Sequence, residues 1–187
     1  RITSIAIRNC DTAQTDSFSI HKLAEKNHIE FSNIDSRYDE LEKLMLEEYF
    51  DYLQKHSNYK FLHWNMRDMN YGFKAIEHRY EVLSGTVPFK LADSQKIDIA
   101  RLLMNKYGDT YIAHPRLESL LIKNEIQPRT FLNGAAEAKA FNDKEYIKLH
   151  QSTLSKADVF ATIIDHAVNN ILKTNAKWWD IYGISIN

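Results

Sequence analysis

The first twenty residues carry a pattern that predicts a β-hairpin. Residues 2–7 are mostly apolar and β-branched, which is typical of a largely buried strand. A polar turn over 9–15 follows. Phe18 and Ile20 then alternate with polar residues, as a half-buried second strand requires. We therefore expect a strand, a turn and a second strand at the start of the chain.

Helical spacing and short apolar runs alternate along the middle of the chain. Ser36 and Asp39 resemble a capping box ahead of apolar residues at helical spacing. The elements expected here are a helix over 38–55, a strand over 59–64, a helix over 70–83, a strand over 87–92 and a helix over 95–106. Further helices are expected over 115–124, 135–142, 143–150 and 154–172. This order indicates an α/β fold, with a mixed sheet flanked by helices and a helix-rich carboxyl-terminal half.

Composition narrows the class of protein. With 187 residues, 44% hydrophobic and 26% charged, the chain matches one domain over 1–187 with a real core, and disorder is excluded. The net charge of −1 excludes a uniformly basic nucleic-acid coat but leaves room for a local basic groove. Cys10 is the single cysteine, which excludes an internal disulfide and a multi-cysteine zinc site. We expect a cytoplasmic protein without a membrane span or a signal peptide.

The segment 63–68 carries the strongest chemical signal, because it lies where a predicted strand ends and a helix begins. A carboxylate there, Asp68, can hold a divalent cation, and Asn65 with Arg67 can orient a phosphate. The alternative is that Asp68 caps the next helix and that His63 is a core histidine. Aromatic and basic residues interleave over 59–80, and Trp64, Arg67 and Tyr71 are the side chains that we expect to reach a nucleic acid.

Two further positions could take part in the same chemistry. Asp93 follows the strand predicted over 87–92, and His150 precedes Asp158 on the last predicted helix. A histidine beside a metal-bound carboxylate could deprotonate a water molecule. The alternatives are an N-cap at Asp93, a surface histidine and a solvated helical acid.

In their order along the chain, these pieces resemble the DEDD-type 3′→5′ exonucleases, the proofreading branch of the RNase H-like fold. The resemblance covers about 38–172 and rests on His63 with Asp68, on Asp93 ahead of Ile-Ala-Arg-Leu, and on His150 ahead of Asp158. It implies Asp68 and Asp158 as metal ligands, His150 as the general base and Asp93 as a supporting acid. It also implies two Mg²⁺ or Mn²⁺ ions roughly 4 Å apart, which activate water and stabilise the leaving oxygen.

Two features depart from the family pattern. The family opens with a strand that bears Asp-x-Glu, whereas the nearest motif here is Asn9-Cys10-Asp11-Thr12, which offers Asp11 as a weak metal ligand. Alternatively, residues 2–8 match the second strand of the family and the first lies upstream of Arg1, which is the interpretation that we favour. His150 and Asp158 are also eight residues apart, whereas the corresponding residues of the family are usually five apart.

Three functions follow from these patterns. The first is a divalent-metal-dependent 3′→5′ exonuclease that acts on single-stranded or frayed DNA or RNA. The second is a catalytically degenerate RNase H-like module that binds nucleic acid or a protein partner. The third is an unrelated interaction domain whose acids only cap helices.

Overall fold

The structure is a computed structural model that describes residues 1–67 and 71–177. Its four described strands are β1 (Ser4–Arg8), β2 (Thr15–Ser19), β3 (Phe61–His63) and β4 (Lys96–Asp98). Its described α-helices are α1 (Ile20–Lys26), α2 (Tyr38–Lys55), α3 (Phe73–Ser84), α4 (Ile99–Tyr107), α5 (Arg116–Lys123), α6 (Gly134–Asn142) and α7 (Tyr146–Val168). Short 3₁₀ helices lie at Phe31–Asn33 and Asp93–Gln95. None of the described helices is long and apolar enough to span a membrane.

The strands form two separate sheets within the described residues. β1 and β2 pair antiparallel, with Ser4 opposite Ser19 and Arg8 opposite Thr15. β3 and β4 pair parallel, with Phe61 opposite Lys96 and His63 opposite Asp98. The predicted α/β class is confirmed, while one mixed sheet joining all four strands is not formed. β1 pairs only with β2 and β3 only with β4, so no hydrogen bonds between strands connect the two sheets.

Local patterns predicted several elements well. The predicted helix over 38–55 matches α2, and the hairpin matches β1 and β2. The strand expected over 87–92 was wrong, since that segment has no regular structure, and β4 lies later at Lys96–Asp98. The helices expected over 143–150 and 154–172 were wrong as separate elements, because one continuous helix, α7, covers Tyr146–Val168. Helix α1 is not predicted: its first residues, Ile20 and His21, continue the alternation expected of the second strand, and no element is expected over 23–26.

Two hydrophobic clusters stabilise the chain. The larger one is built around α2, whose fully buried Leu41, Met45 and Leu46 pack with α1 and the hairpin. The smaller one joins α4, α5 and the second half of α7 through side chains such as Leu103, Leu120 and Ile163. Complete burial of a leucine or isoleucine side chain contributes about 1.5–3 kcal/mol. These clusters fix α7 against β1 and therefore set the positions of the residues discussed next.

The hairpin lies between two helices. Ser4 and Arg8 point to α7, where their side chains contact Thr153 and Asp158. Phe18, the partner of Ile5, points the other way and packs edge-on against aromatic rings of α2. Successive side chains of a strand point to opposite faces. Helices α2 and α7 therefore cover opposite faces of the β1–β2 sheet.

Candidate functional site

The carboxyl ends of β3 and β4 bring polar side chains together around a buried aspartate. Asp98 ends β4 opposite His63, and its carboxylate accepts from the Ala100 amide at 3.0 Å as the N-cap of α4. The same carboxylate accepts from the Asn65 amide at 3.2 Å and forms a salt bridge of 2.6 Å with Nε of Arg67. Because parallel strands end at one edge of a sheet, the fold places these groups together.

His63 is a neutral, oriented member of this group. The Met66 amide lies 3.2 Å from Nδ1 and donates to it, so the proton resides on Nε2. Burial lowers the pKa of His63, with Asp98 acting in the opposite direction and Arg67 in the same one. The imidazole is therefore uncharged at neutral pH. It can donate one hydrogen bond through Nε2.

Two further side chains complete the group. Tyr111 lies in the segment before α5, and Arg116 is the first residue of α5. The Tyr111 hydroxyl and Nε of Arg116 are buried and have no hydrogen-bond partner within residues 1–67 and 71–177. Burial raises the pKa of Tyr111 to about 12, Arg116 lowers it and Asp98 raises it. The phenol is therefore a donor at neutral pH. We call His63, Asn65, Arg67, Asp98, Tyr111 and Arg116 the Asp98 cluster.

The loop after β3 is closed by backbone geometry. Arg67 forms an isolated antiparallel bridge with Gly72, and Asn65 adopts a positive φ of 55°. Gly72 has φ 125° and ψ −158°, a conformation that is essentially restricted to glycine. A Cβ at Gly72 would lie 2.5 Å from the carbonyl carbon and oxygen of Met66. Such local strain is concentrated at binding and catalytic loops, and here it fixes where Arg67 and Tyr71 leave the backbone.

The other residues predicted on this segment lie in different surroundings. Tyr71 is 66% exposed, and Arg67 has a half-exposed side chain. Trp64 is partly buried and stacks on Phe160 of α7, with ring centroids 5.8 Å apart. The Arg67 guanidinium also donates to the Asn65 side chain at 3.0 Å. Asp68, the predicted metal ligand, lies outside the described residues.

The remaining predicted acids lie on three different elements, each with its own partner. Asp158 on α7 pairs with Arg8 at 2.8 Å and is largely exposed. Asp93 is fully exposed beside Lys96 at the amino end of β4, so the strand separates it from Asp98. Asp11 lies in the exposed hairpin turn, where its backbone amide donates to the side-chain oxygen of Asn9 at 2.9 Å.

His150 is buried between α7 and α1. Its ring lies 5.1 Å from that of His21, and burial lowers its pKa to about 4, with smaller lowering by Lys22 and His21. Nε2 of His150 has no partner within the described chain. On one helix, eight positions correspond to an axial separation of about 12 Å. The His150 and Asp158 side chains therefore do not meet, and the structure gives no support to a shared catalytic role.

The described residues do not supply a metal-ligand set. Across residues 1–67 and 71–177, no group of three or more His, Cys, Asp or Glu side chains is placed to hold a metal ion. Two Mg²⁺ or Mn²⁺ ions need several converging oxygen ligands. A metal centre would need carboxylates beyond those described, with Asp68 as the sequence candidate.

Three members of the Asp98 cluster were missed from the sequence. Asp98 stands directly ahead of a helical run, so its role as an N-cap was detectable in principle. The expected helix start near 95 concealed it. Tyr111 and Arg116 carry no local signal, because their role depends on packing next to a strand that precedes them in the chain. Comparison of this chain with protein-family models, curated proteins and solved structures finds no match.

Proposed function

We propose that this protein binds single-stranded nucleic acid at the carboxyl ends of β3 and β4, as an RNase H-like module of DEDD exonuclease type. The observation that carries the proposal is the Arg67–Gly72 bridge, which holds a cation and the exposed ring of Tyr71 on one closed loop. The antiparallel hairpin followed by a parallel strand pair is compatible with the RNase H-like part of the proposal.

Phosphate recognition is the role that suits the cluster's cations. Nε of Arg67 is held by Asp98, while half of the Arg67 side chain remains exposed. A guanidinium fixed in this way presents its other N–H groups with little further loss of entropy. The Tyr111 hydroxyl and Nε of Arg116 lack acceptors within the described chain, and an anionic oxygen would supply one.

Base stacking is the role that suits Tyr71. Tyr71 is 66% exposed, and the bridge keeps its backbone close to that of Arg67. Burial and the nearby Glu137 raise the pKa of its hydroxyl, so the phenol stays uncharged at neutral pH. Stacking of a base on an aromatic side chain contributes about 1–3 kcal/mol and tolerates any sequence. A cation next to a stacking ring is the combination found in sites for unpaired strands.

Hydrolysis remains a prediction that rests on the resemblance. It requires the Mg²⁺ or Mn²⁺ pair and the ligand Asp68, and among the described acids Asp158 is engaged by Arg8. The proposal of binding does not depend on it. Binding is the function that the described geometry supports best.

Binding can be measured by fluorescence anisotropy with a labelled oligothymidylate at several salt concentrations. We expect Arg67→Ala to weaken binding roughly tenfold and to reduce its salt dependence, because a phosphate contact is lost. Tyr71→Ala should weaken binding with little change in salt dependence. Matched controls are Arg101→Ala on the exposed side of α4 and Tyr59→Ala, a second exposed tyrosine. Absence of binding, or equal losses in variants and controls, would overturn the proposed site.

Cleavage needs a separate assay. The same oligonucleotide is incubated with Mg²⁺ or Mn²⁺, and released nucleotides are separated by chromatography. Metal-dependent release that Asp68→Ala abolishes would support the exonuclease prediction. Binding without release would support the degenerate module instead.

A further inference from the structure

Two strand edges border the same large cleft. The cleft has a volume of about 980 Å³, and its lining includes the continuous runs 1–11 and 60–63. Successive side chains of a strand alternate between faces, so a continuous run that lines a cavity borders it with the strand edge. β1 and β3 therefore face this cleft with the edges that do not pair with β2 and β4.

The register identifies which backbone groups of β1 point into the cleft. Ile20 donates to the Thr3 carbonyl at 3.0 Å, and Asn9 donates to the Gln14 carbonyl at 2.8 Å. Hydrogen-bonded pairs alternate along an antiparallel ladder, so Ile5 and Ile7 bond to β2. The N–H and C=O groups of the residues between them point away from β2. Those residues are Ser4, Ala6 and Arg8.

Most of this outward edge is unpaired. Ile2 belongs to the same outward set, and its backbone is capped: its N–H donates to Glu42 at 2.6 Å and its C=O accepts from Tyr38 at 3.1 Å. Ser4, Ala6 and Arg8 have no such backbone partners within residues 1–67 and 71–177. An open edge of this length attracts another strand, and proteins normally cover or blunt it.

The cleft continues the space between two helices. Because α2 and α7 cover opposite faces of the β1–β2 sheet, a strand added to β1 would lie between the same two helices. Apolar and aromatic side chains line the cleft from α2, α3 and α7: Tyr49, Phe73, Ile76, Phe160 and Ile164. A strand that is buried on both faces carries apolar side chains on both faces, whereas a strand with one face exposed to solvent alternates apolar and polar side chains.

We propose that this cleft receives a β-strand that pairs with the open edges of β1 and β3. The strand is an extended polypeptide segment that is apolar on both faces and about as long as the five residues of β1. Only another extended backbone offers donors and acceptors at the repeat of a strand edge. The added strand would join the two small sheets into one. The cleft shares His63 with the Asp98 cluster, and Tyr71 and Gly72 of the proposed nucleic-acid site also line it, whereas the open edge of β1 takes no part in that site.

The direct test is residue-resolved amide hydrogen exchange with an added peptide. The probe is a synthetic run of valine and isoleucine with terminal lysines to keep it dissolved, and the control peptide carries proline at alternate positions. We expect the valine–isoleucine peptide to slow exchange at Ser4, Ala6 and Arg8 at least about tenfold. Exchange at Ile5 and Ile7, already bonded to β2, should not change.

A backbone variant tests the same edge. Ala6→Pro removes an outward N–H and leaves the bonds of Ile5 and Ile7 to β2, so the hairpin persists while peptide binding weakens. Ala6→Ser, which keeps the N–H, should bind like the parent protein. An unchanged circular dichroism spectrum would show that Ala6→Pro still folds. If Ala6→Pro does not fold, the exchange measurements on the parent protein still test the proposal.

Three results would overturn the proposal. The first is unchanged exchange at saturating peptide, or equal protection by the proline peptide. The second is protection that grows with protein concentration without peptide, which would assign the edge to a second copy of this chain. The third is protection of Ser4, Ala6 and Arg8 by oligothymidylate, which would make the cleft a nucleic-acid channel. Failure of oligonucleotide binding alone would affect the proposed function and leave this inference intact.

Discussion

The carboxylate of Asp98 lies 2.6 Å from Nε of Arg67, which joins the end of β4 to the loop that follows β3. The same carboxylate caps α4 and accepts from the Asn65 amide. One buried acid therefore holds a helix start, a strained residue and an exposed cation in fixed relation. Its removal should affect both stability and binding.

Asp98→Ala should lower the free energy of unfolding by about 2–4 kcal/mol, because the α4 cap and the charge pair are both lost. Chemical denaturation measures this change. Asp93→Ala is the matched control, since the Asp93 side chain is fully exposed and should leave the free energy of unfolding unchanged. Equal effects of the two substitutions would contradict the structural role of Asp98.

Gly72→Ala should destabilise the protein by about 2–4 kcal/mol and reduce oligonucleotide binding, because the new methyl group would meet the Met66 backbone. Gly134→Ala is the control. Gly134 is the first residue of α6 and has open space around it, so alanine should stabilise by about 0.5–1 kcal/mol. Thermal denaturation separates the two directions of change, and a neutral Gly72→Ala would show that the loop is not closed as described.

Glu42→Ala should cost about 3–5 kcal/mol of unfolding free energy. The Glu42 side chain is fully buried and accepts from Arg79 and from the Ile2 amide. Truncation leaves the Ile2 amide and Nε of Arg79 without their acceptor, while the Arg79 guanidinium keeps its pair with Asp39. Glu47→Ala on the same helix removes a loose, half-exposed pair with Lys43 and should cost less than about 1 kcal/mol. Similar denaturation midpoints for Glu42→Ala and Glu47→Ala would contradict the burial of the Glu42 side chain.

The stability of the protein should fall between about pH 6.5 and pH 4 through His150. Burial lowers the pKa of His150 from 6.5 to about 4, so the unfolded chain takes up a proton more readily than the folded one. The contribution of neutral His150 to stability is therefore complete above the pKa that His150 has in the unfolded chain. It is lost as the pH decreases toward the pKa that His150 has in the folded protein. The full shift corresponds to a loss on the order of 3 kcal/mol.

His150→Leu should flatten this pH dependence, measured by urea denaturation across the pH range. His78→Gln, at an exposed position of α3, is the control and should retain the parent slope. A residual slope is expected from His21 and His63, whose pKa values are also lowered by burial. An identical slope in His150→Leu would show that the His150 imidazole is accessible to water.

The sequence by itself determined the elements whose signals are local. Apolar residues at helical spacing defined α2 over Tyr38–Lys55, and alternation defined the hairpin. The exposed state of Arg67 and Tyr71 agrees with their choice as contact residues, but their role in binding stays a prediction. These features depend on neighbours within a few positions, which a periodic pattern records.

Tertiary structure decided which distant residues meet. Asp98 joins His63 and Arg67 because β3 and β4 pair in parallel, and His150 becomes buried because α7 is one continuous helix packed on α1. The open edges of β1 and β3 likewise exist only once the strands have chosen partners. Pairing and burial depend on contacts far apart along the chain, and no local pattern of polar and apolar residues encodes them.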